Sequence, residues 1–304
     1  MSRSLSGELA EAFEAAVARR NASRIQRLVA DPLRAVTPAF LRTLGHVKEV
    51  PAQTFWGETM RVVVPEPVSA MIYRFGYYDE NVCRFLLAAL REGNTFVDIG
   101  AHFGFFSKLA VRLVGGSGHV VAFEPMPRTR SLLSANLSGS IGAGCASIVE
   151  YAAFDEEKTL EFRDYGDAHS SFNSAFVGRG LERTGIPVDV RARRFDDIWN
   201  ELGHQRIDVM KIDAESAELR VLIGAEQSLA KYKPVVIAEF GDFDLPNVPA
   251  SRSIVEWLLP RGYVAFEASR SGPRPHQAQV RYGYTNLMFV PRDKLGLIDA
   301  RDSH

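Results

Sequence analysis

The stretch of sequence that decides the fold occupies residues 96–104 and reads FVDIGAHFG. An apolar run with the character of a buried strand leads into a turn with two glycines, and a helical stretch follows. Gly100 allows a tight turn, and Gly104 is expected to let the backbone approach a ligand closely. Dinucleotide sites share both features, although a glycine turn alone also fits a plain connection between a strand and a helix.

Two acidic residues narrow the choice of ligand. A carboxylate at Asp98, near the end of the strand, would repel a pyrophosphate but suits a ligand that carries an ammonium group and a sulfonium. Glu124 ends the next strand, twenty residues after Gly104, as one strand–helix–strand unit requires. Its carboxylate can accept hydrogen bonds from both ribose hydroxyls of an adenosine. Together the two signals predict a nucleoside cofactor.

Short runs rich in valine, isoleucine and phenylalanine alternate with helical stretches over the rest of the chain. Because these runs are apolar throughout, they are typical of parallel strands with helices on both faces of the sheet. The pattern predicts a doubly wound α/β fold. The predicted strands are 95–99, 120–123, 147–151, 207–212 and 235–239.

Two further regions lie outside this alternation. Residues 1–54 form a segment in which we expect two or three helices, acting either as a cap or as an element for dimerisation or acceptor recruitment. Residues 55–304 then form the cofactor-binding domain, beginning with a hairpin-like extended segment over 55–64. Within it, residues 154–206 are rich in glycine, serine, arginine and aspartate, and we interpret them as an excursion over the carboxyl end of the sheet, where ligands bind.

A third acidic signal, KIDAES at 211–216, lies at the carboxyl end of the strand 207–212 and continues beyond it. Strand periodicity places Lys211 and Asp213 on one face, where each offsets the cost of burying the other. Two interpretations remain open. The two residues form an ion pair with a structural role, or Asp213 takes part in the reaction. We expect Glu218 in the first turn of the next helix, and Glu215 and Glu239 on the acceptor side of the same sheet edge.

Composition excludes several classes of protein. The formal charge of −1 on 304 residues supplies no global field to attract nucleic acid or an anionic membrane. The two cysteines, Cys83 and Cys145, cannot build a disulfide framework or a cysteine zinc cluster. No signal-peptide pattern is present, and no stretch reaches the roughly 18 apolar residues that span a bilayer. We therefore expect a cytoplasmic protein with no nucleic-acid or membrane partner.

Several of these segments together resemble the FkbM-type S-adenosylmethionine-dependent methyltransferases. The resemblance covers about residues 55–291 and rests on 95–104, on AFEP at 122–125 followed by Asn136, on KIDAE at 211–215 and on NLMFVP at 286–291. It implies a class I methyltransferase (Rossmann-like) sheet with an antiparallel last strand, S-adenosylmethionine as cofactor, and methylation of a hydroxyl on a sugar, glycan or natural product. The residues it implies around the cofactor are Asp98, Gly100, Gly104 and Glu124. We expect four further residues to contact the cofactor, namely Ala101, His102, Pro125 and Asp213.

The chain departs from the family pattern at two positions. His102 stands where such proteins usually have asparagine, which puts a titratable group beside the cofactor. Ser216 stands where they usually have glycine, which alters the turn beside the acceptor.

Positioning is the main task for such an enzyme, because the methyl group is already activated as a sulfonium. Correct orientation of the reacting groups can lower the activation barrier by about 7–11 kcal/mol. This is a larger effect than the roughly 10²–10⁴-fold rate increase that a general base supplies. An alcohol acceptor must still lose its proton, and the candidate bases are Asp213, His102 and, in the excursion, His169. Asp213, Glu215 and Glu239 could together bind magnesium, but Lys211 opposes a cation there, so we expect no required metal.

Two other functions share parts of this pattern. A nicotinamide-dependent oxidoreductase would use the same ribose acid, but G-x-G-x-x-G is absent and Asp98 opposes a phosphate. A non-catalytic binding module could use the same fold as a scaffold. As partners we expect a small-molecule or glycan acceptor, and a possible second copy through the N-terminal helices.

Overall fold

The computed structural model describes residues 5–166, 170, 185–246 and 248–299. The strands are β1 (Lys48–Gln53), β2 (Thr59–Val64), β3 (Thr95–Ile99), β4 (His119–Phe123), β5 (Ala146–Val149), β6 (Ala152–Phe154), β7 (Lys158–Asp164), β8 (Ile186–Arg194), β9 (Val209–Ile212), β10 (Val235–Phe240), β11 (Tyr263–Glu267), β12 (Arg274–Pro275) and β13 (Thr285–Pro291). The helices are α1 (Leu5–Asn21), α2 (Arg24–Ala30), α3 (Pro32–Thr43), α4 (Pro67–Phe75), α5 (Glu80–Ala89), α6 (Phe105–Val114), α7 (Pro127–Gly142), α8 (Phe195–Leu202), α9 (Glu218–Gly224), α10 (Glu226–Tyr232), α11 (Arg252–Leu258) and α12 (Gly296–Asp299).

Eight strands form the central sheet in the order β12-β11-β13-β10-β9-β3-β4-β5. The pairs from β10 to β5 are all parallel, whereas β13 is antiparallel to β10. This confirms the predicted class I sheet with its antiparallel last strand. From β3 the chain moves outward through β4 and β5, then returns to the other side of β3 as β9. The strand order therefore reverses between β3 and β9, where ligands bind in folds of this class.

Helices cover both faces of the sheet, as the apolar strands predict. On β3, Phe96 packs into one core and Val97 into the other, because successive side chains point to opposite faces. Helices α1, α5 and α6 contribute to the first core, and α8, α9 and α11 to the second. In the described part of the chain, no helix combines the length and apolar character needed to cross a membrane.

The N-terminal region is less separate than the sequence indicates. Its three helices are present, but Phe13 of α1 lies in the first core. Strand β1 pairs antiparallel with β2, so the boundary expected after residue 54 falls inside a hairpin. Pro32 begins α3, a position that proline favours, whereas Pro38 lies within that helix.

The excursion is shorter than the interval 154–206. Strands β7 and β8 form an antiparallel hairpin, and β6 joins it to make a three-stranded sheet. Helix α8, however, belongs to the main fold, because Phe195 and Trp199 are buried in the second core. The excursion therefore ends with β8, at Arg194.

Candidate cofactor and acceptor site

The glycine turn after β3 brings two strand ends into contact. Gly100 has φ +74°, and a Cβ at this position would lie 1.8 Å from the carbonyl oxygen of Asp213. The tight turn expected at Gly100 is thus required by the neighbouring strand. Gly104 has φ +85°, and a Cβ there would lie 2.5 Å from Cδ1 of Leu133 on α7. Its backbone conformation and its contact with Leu133 both favour glycine, and the expected close approach to a ligand stays a prediction.

Glu124 lies at the same edge as this turn, directly after β4. Its Oε2 accepts the backbone N–H of His102 at 2.9 Å, and its Oε1 accepts that of Met126 at 2.9 Å. Burial raises the pKa of Glu124 to about 7, against the lowering effect of these two amide hydrogen bonds. Each oxygen keeps a further lone pair for a hydroxyl donor. The orientation suits the predicted role at the ribose.

Asp98 does not occupy the place that the sequence indicates. Its side chain is 0% exposed, it lies 3.3 Å from Nζ of Lys211, and it accepts a hydrogen bond from the Ser107 hydroxyl at 2.6 Å. The reason is register, because Asp98 and Lys211 are direct partners on the adjacent strands β3 and β9. The Asp98 carboxylate therefore balances a buried ammonium group, which corrects its expected contact with the amino group of the cofactor.

The ammonium group of Lys211 also contacts residues at the carboxyl edge of the sheet. Its Nζ lies 3.2 Å from Oδ2 of Asp213 and donates to the carbonyl of Gly100 at 3.2 Å. Burial alone would lower the pKa of Lys211, but the carboxylates of Asp213 and Asp98 outweigh it and raise the pKa. The structural ion pair is therefore present. Asp213 nevertheless keeps 23% of its side chain exposed, so it is both paired and accessible.

Further carboxylates surround Asp213. Burial, and then repulsion by Asp213, raise the pKa of Glu215 and of Glu239 well above the ordinary range. Glu218 is the first residue of α9, as expected, and accepts the backbone N–H groups of Ala214 and Ser216. Burial raises the pKa of Glu218 to about 7.

This donor set fits S-adenosylmethionine. Two carboxylates, those of Asp98 and Asp213, face the single ammonium of Lys211, and the excess of negative charge suits a ligand with a sulfonium and an ammonium group. A bound cation would also favour ionisation of the nearby glutamates, whose pKa values burial raises. The same edge repels a pyrophosphate, which disfavours a nicotinamide dinucleotide. Glu124 would hold the ribose, and Asp213 lies near the position expected for the reacting groups.

His102 lies beside Glu124 in the glycine turn. Its ring packs at a tilt against that of Phe103, with 3.8 Å between the ring centroids, and its Nε2 lies 3.0 Å from the Ser170 hydroxyl oxygen. Burial lowers the pKa of His102, so the imidazole is neutral at neutral pH and able to accept a proton. His102 has φ +50° and Ser216 has φ +80°. At both departures from the family pattern, therefore, the backbone adopts a conformation that asparagine and glycine accept more readily.

The remaining predicted residues have smaller parts. The Ala101 N–H donates to the carbonyl of Phe123, and the Pro125 carbonyl accepts from Arg130. His169 lies outside the described residues. Within the described ranges, no three His, Cys, Asp or Glu side chains are grouped to hold a metal ion. The absence of a required metal stays a prediction.

Sequence reasoning missed a polar group on the acceptor side. Asp79 caps α5, and its Oδ2 accepts from Nδ2 of Asn286 at 2.7 Å and from the Tyr284 hydroxyl at 3.3 Å. A cleft of about 360 Å³ opens beside it, lined in part by Tyr78, Asp79 and Tyr284. The cap signal at Asp79 and the position of Asn286 in the closing segment were readable in the sequence. Their contact across the sheet edge was not.

The parallel sheet, the glycine turn and the acid at the ribose position define a Rossmann-like protein that binds a nucleoside cofactor. The chain belongs to the family defined by the methyltransferase FkbM domain, whose family model matches residues 98–265. Its cofactor is S-adenosylmethionine.

Three characterised relatives have similar sequences. The 31-O-demethyl-FK506 methyltransferase FkbM of Streptomyces tacrolimicus is 29% identical over 178 residues, which are 51% of this chain and 68% of that protein. The 2-O-methyltransferase NoeI of Sinorhizobium fredii is 25% identical over 202 residues, 63% of this chain and 79% of NoeI. The AMB antimetabolite synthetase AmbE of Pseudomonas aeruginosa is 29% identical over 174 residues, 46% of this chain but only 8% of AmbE.

Proposed function

We propose that this protein transfers the methyl group of S-adenosylmethionine to a hydroxyl oxygen of a sugar, glycan or natural product. The observation that carries the proposal is Asp213, an accessible carboxylate held by Lys211 where the strand order reverses. Two relatives support an oxygen acceptor, because NoeI is named a 2-O-methyltransferase and FkbM is named the 31-O-demethyl-FK506 methyltransferase.

The residues at the carboxyl edge of the sheet have separate roles. When bound, the cofactor supplies a methyl group already activated on a sulfonium. Glu124 accepts the ribose hydroxyls and so fixes the cofactor in one orientation. Lys211 holds Oδ2 of Asp213, which leaves Oδ1 to bind the acceptor hydroxyl and take its proton. Asp213 would thus position the acceptor oxygen and hold the proton that this oxygen loses.

His102 is the alternative base. Its imidazole is neutral, but Nε2 is engaged with Ser170, and its backbone N–H already serves Glu124. Asp213 is the stronger candidate because it lies among the acids of the acceptor side.

The substitution Asp213→Asn tests the proposal, since it keeps the shape and removes the charge. We expect methyl transfer to an isotope-labelled panel of sugars and natural products to fall roughly 10²-fold or more, with S-adenosylhomocysteine affinity by calorimetry nearly unchanged. Asp98 remains to balance Lys211, so the variant should fold.

His102→Asn is the matched variant, because asparagine suits the backbone at this position. It should keep most of the turnover if Asp213 is the base. Full activity in Asp213→Asn with loss in His102→Asn would transfer the role to His102. Failure of wild-type protein to bind S-adenosylhomocysteine, or to methylate any hydroxyl in the panel, would refute the proposal.

A further inference from the structure

Helices α2 and α3 present an uncovered apolar surface. Helix α2 packs mainly against α3 and has no buried residue. Helix α3 packs against α4, and its Pro38 and Leu41 turn toward the fold. Ile25 and Val29 are 76% and 79% exposed, and Leu33 and Phe40 are 71% and 61% exposed. Val36, also exposed, lies between the last two at helical spacing. We call these five residues the α2–α3 face. Apolar surface of this kind usually marks an interaction site.

The same segment carries a local excess of positive charge. Residues 19–44 contain six arginines and a single acid, Asp31, in a chain whose formal charge is −1. Asp31 is already engaged, because it caps α3 and lies 3.2 Å from the guanidinium of Arg34. Arg19, Arg24 and Arg42 are exposed. The chain as a whole has almost no net charge, but this segment is basic and also carries the exposed apolar residues.

Charge decides between the two occupants that such a surface could accept. In a symmetric dimer the same patch meets itself, so the arginines of two copies would face one another and repel. An anionic bilayer offers the opposite charge, and short arginine-rich amphipathic helices lie at the headgroup level with their apolar side chains inserted. We propose that the α2–α3 face docks the protein on an anionic lipid surface. This proposal differs from the expectation of no membrane partner, because net charge and the lack of a long apolar stretch do not report on a local basic and apolar surface.

Flotation with lipid vesicles tests this proposal on the full-length chain. We expect the protein to float with vesicles of phosphatidylcholine mixed with phosphatidylglycerol, and to stay unbound with phosphatidylcholine alone. Raising the ionic strength from about 0.1 M to about 1 M shortens the screening length from about 10 Å to about 3 Å and should release it. Because an arginine near such a surface contributes about 1 kcal/mol, Arg24→Gln should weaken binding about fivefold.

Matched variants separate this face from general surface effects. Val29→Ser should also reduce binding several-fold, whereas Val280→Ser, at a residue 82% exposed elsewhere, should not. Arg270→Gln removes an exposed charge away from the face and should leave binding unchanged. Circular dichroism and S-adenosylhomocysteine binding should be the same for all four variants.

Three results would overturn the proposal. The first is equal flotation with neutral and anionic vesicles. The second is equal loss of binding in the face variants and their controls. The third is a lipid-independent dimer that Val29→Ser dissociates, which would assign the face to a second copy. None of these results depends on methyl transfer, so the proposed function is tested separately.

Discussion

Glu124 carries a carboxylate whose orientation the backbone sets before any ligand binds. The amides of His102 and Met126 hold one oxygen each, while burial raises its pKa to about 7. Such a group changes charge close to neutral pH. The ribose hydroxyls are donors, so they favour the ionised form, and binding of the cofactor should release a proton near pH 7.

This chemistry predicts that S-adenosylhomocysteine binds more tightly as pH rises through the pKa of Glu124. Between pH 6 and pH 8 the ionised fraction of a group with a pKa of about 7 rises roughly tenfold, and calorimetry should show an affinity increase of about that size. Glu124→Ala should weaken binding by about 1–3 kcal/mol and flatten the pH dependence.

Glu218→Gln is the control, since the pKa of Glu218 is also raised to about 7 but its carboxylate serves the turn before α9. This variant should keep the pH dependence. A dependence that survived in Glu124→Ala would assign the titration to another group.

At the scale of elements, the site depends on how closely the ends of β3 and β9 approach each other. Gly100→Ala places a methyl group on the carbonyl of Asp213 and also strains a backbone with φ +74°. We expect a loss of more than about 3 kcal/mol in the free energy of unfolding, measured with urea.

Gly45→Ala separates the two causes. Gly45 has φ +65°, but nothing lies within 4 Å of its Cβ position, so this variant should show only the backbone strain, about 1–2 kcal/mol. Equal losses in the two variants would mean that the strands separate readily and that the contact does not constrain the site.

At the scale of the whole molecule, α1 contributes buried side chains to the core, whereas α2 contributes none and α3 contributes little beyond Pro38 and Leu41. The ring of Phe13 contacts Phe55 at 5.1 Å and Tyr77 at 5.2 Å between centroids. Phe13→Ala should therefore lower the free energy of unfolding by about 3–5 kcal/mol. Phe40→Ala, on the exposed α2–α3 face, should change it by no more than about 0.5 kcal/mol. Equally small losses in the free energy of unfolding for the two variants, measured with urea, would mean that α1 caps the fold without contributing to its core.

The sequence by itself determined the features that are local along the chain. Apolar runs located β3, β4, β5, β9 and β10 to within two residues at each end, because a strand covered by helices on both faces must be apolar throughout. The interval from Gly104 to Glu124 placed that acid at the correct sheet edge, since one strand–helix–strand unit has a nearly constant length. The family resemblance was readable for the same reason.

Only the tertiary structure decided which distant residues become partners. Asp98 was expected to face the cofactor, but strand register places it beside Lys211, and the buried ammonium requires its charge. At Gly104 the structure adds a constraint that the sequence does not show, because a Cβ there would meet Leu133 on another helix. Periodicity encodes which side of an element is buried. It does not encode which side chain lies opposite, because that depends on the register and packing of elements far apart in the chain.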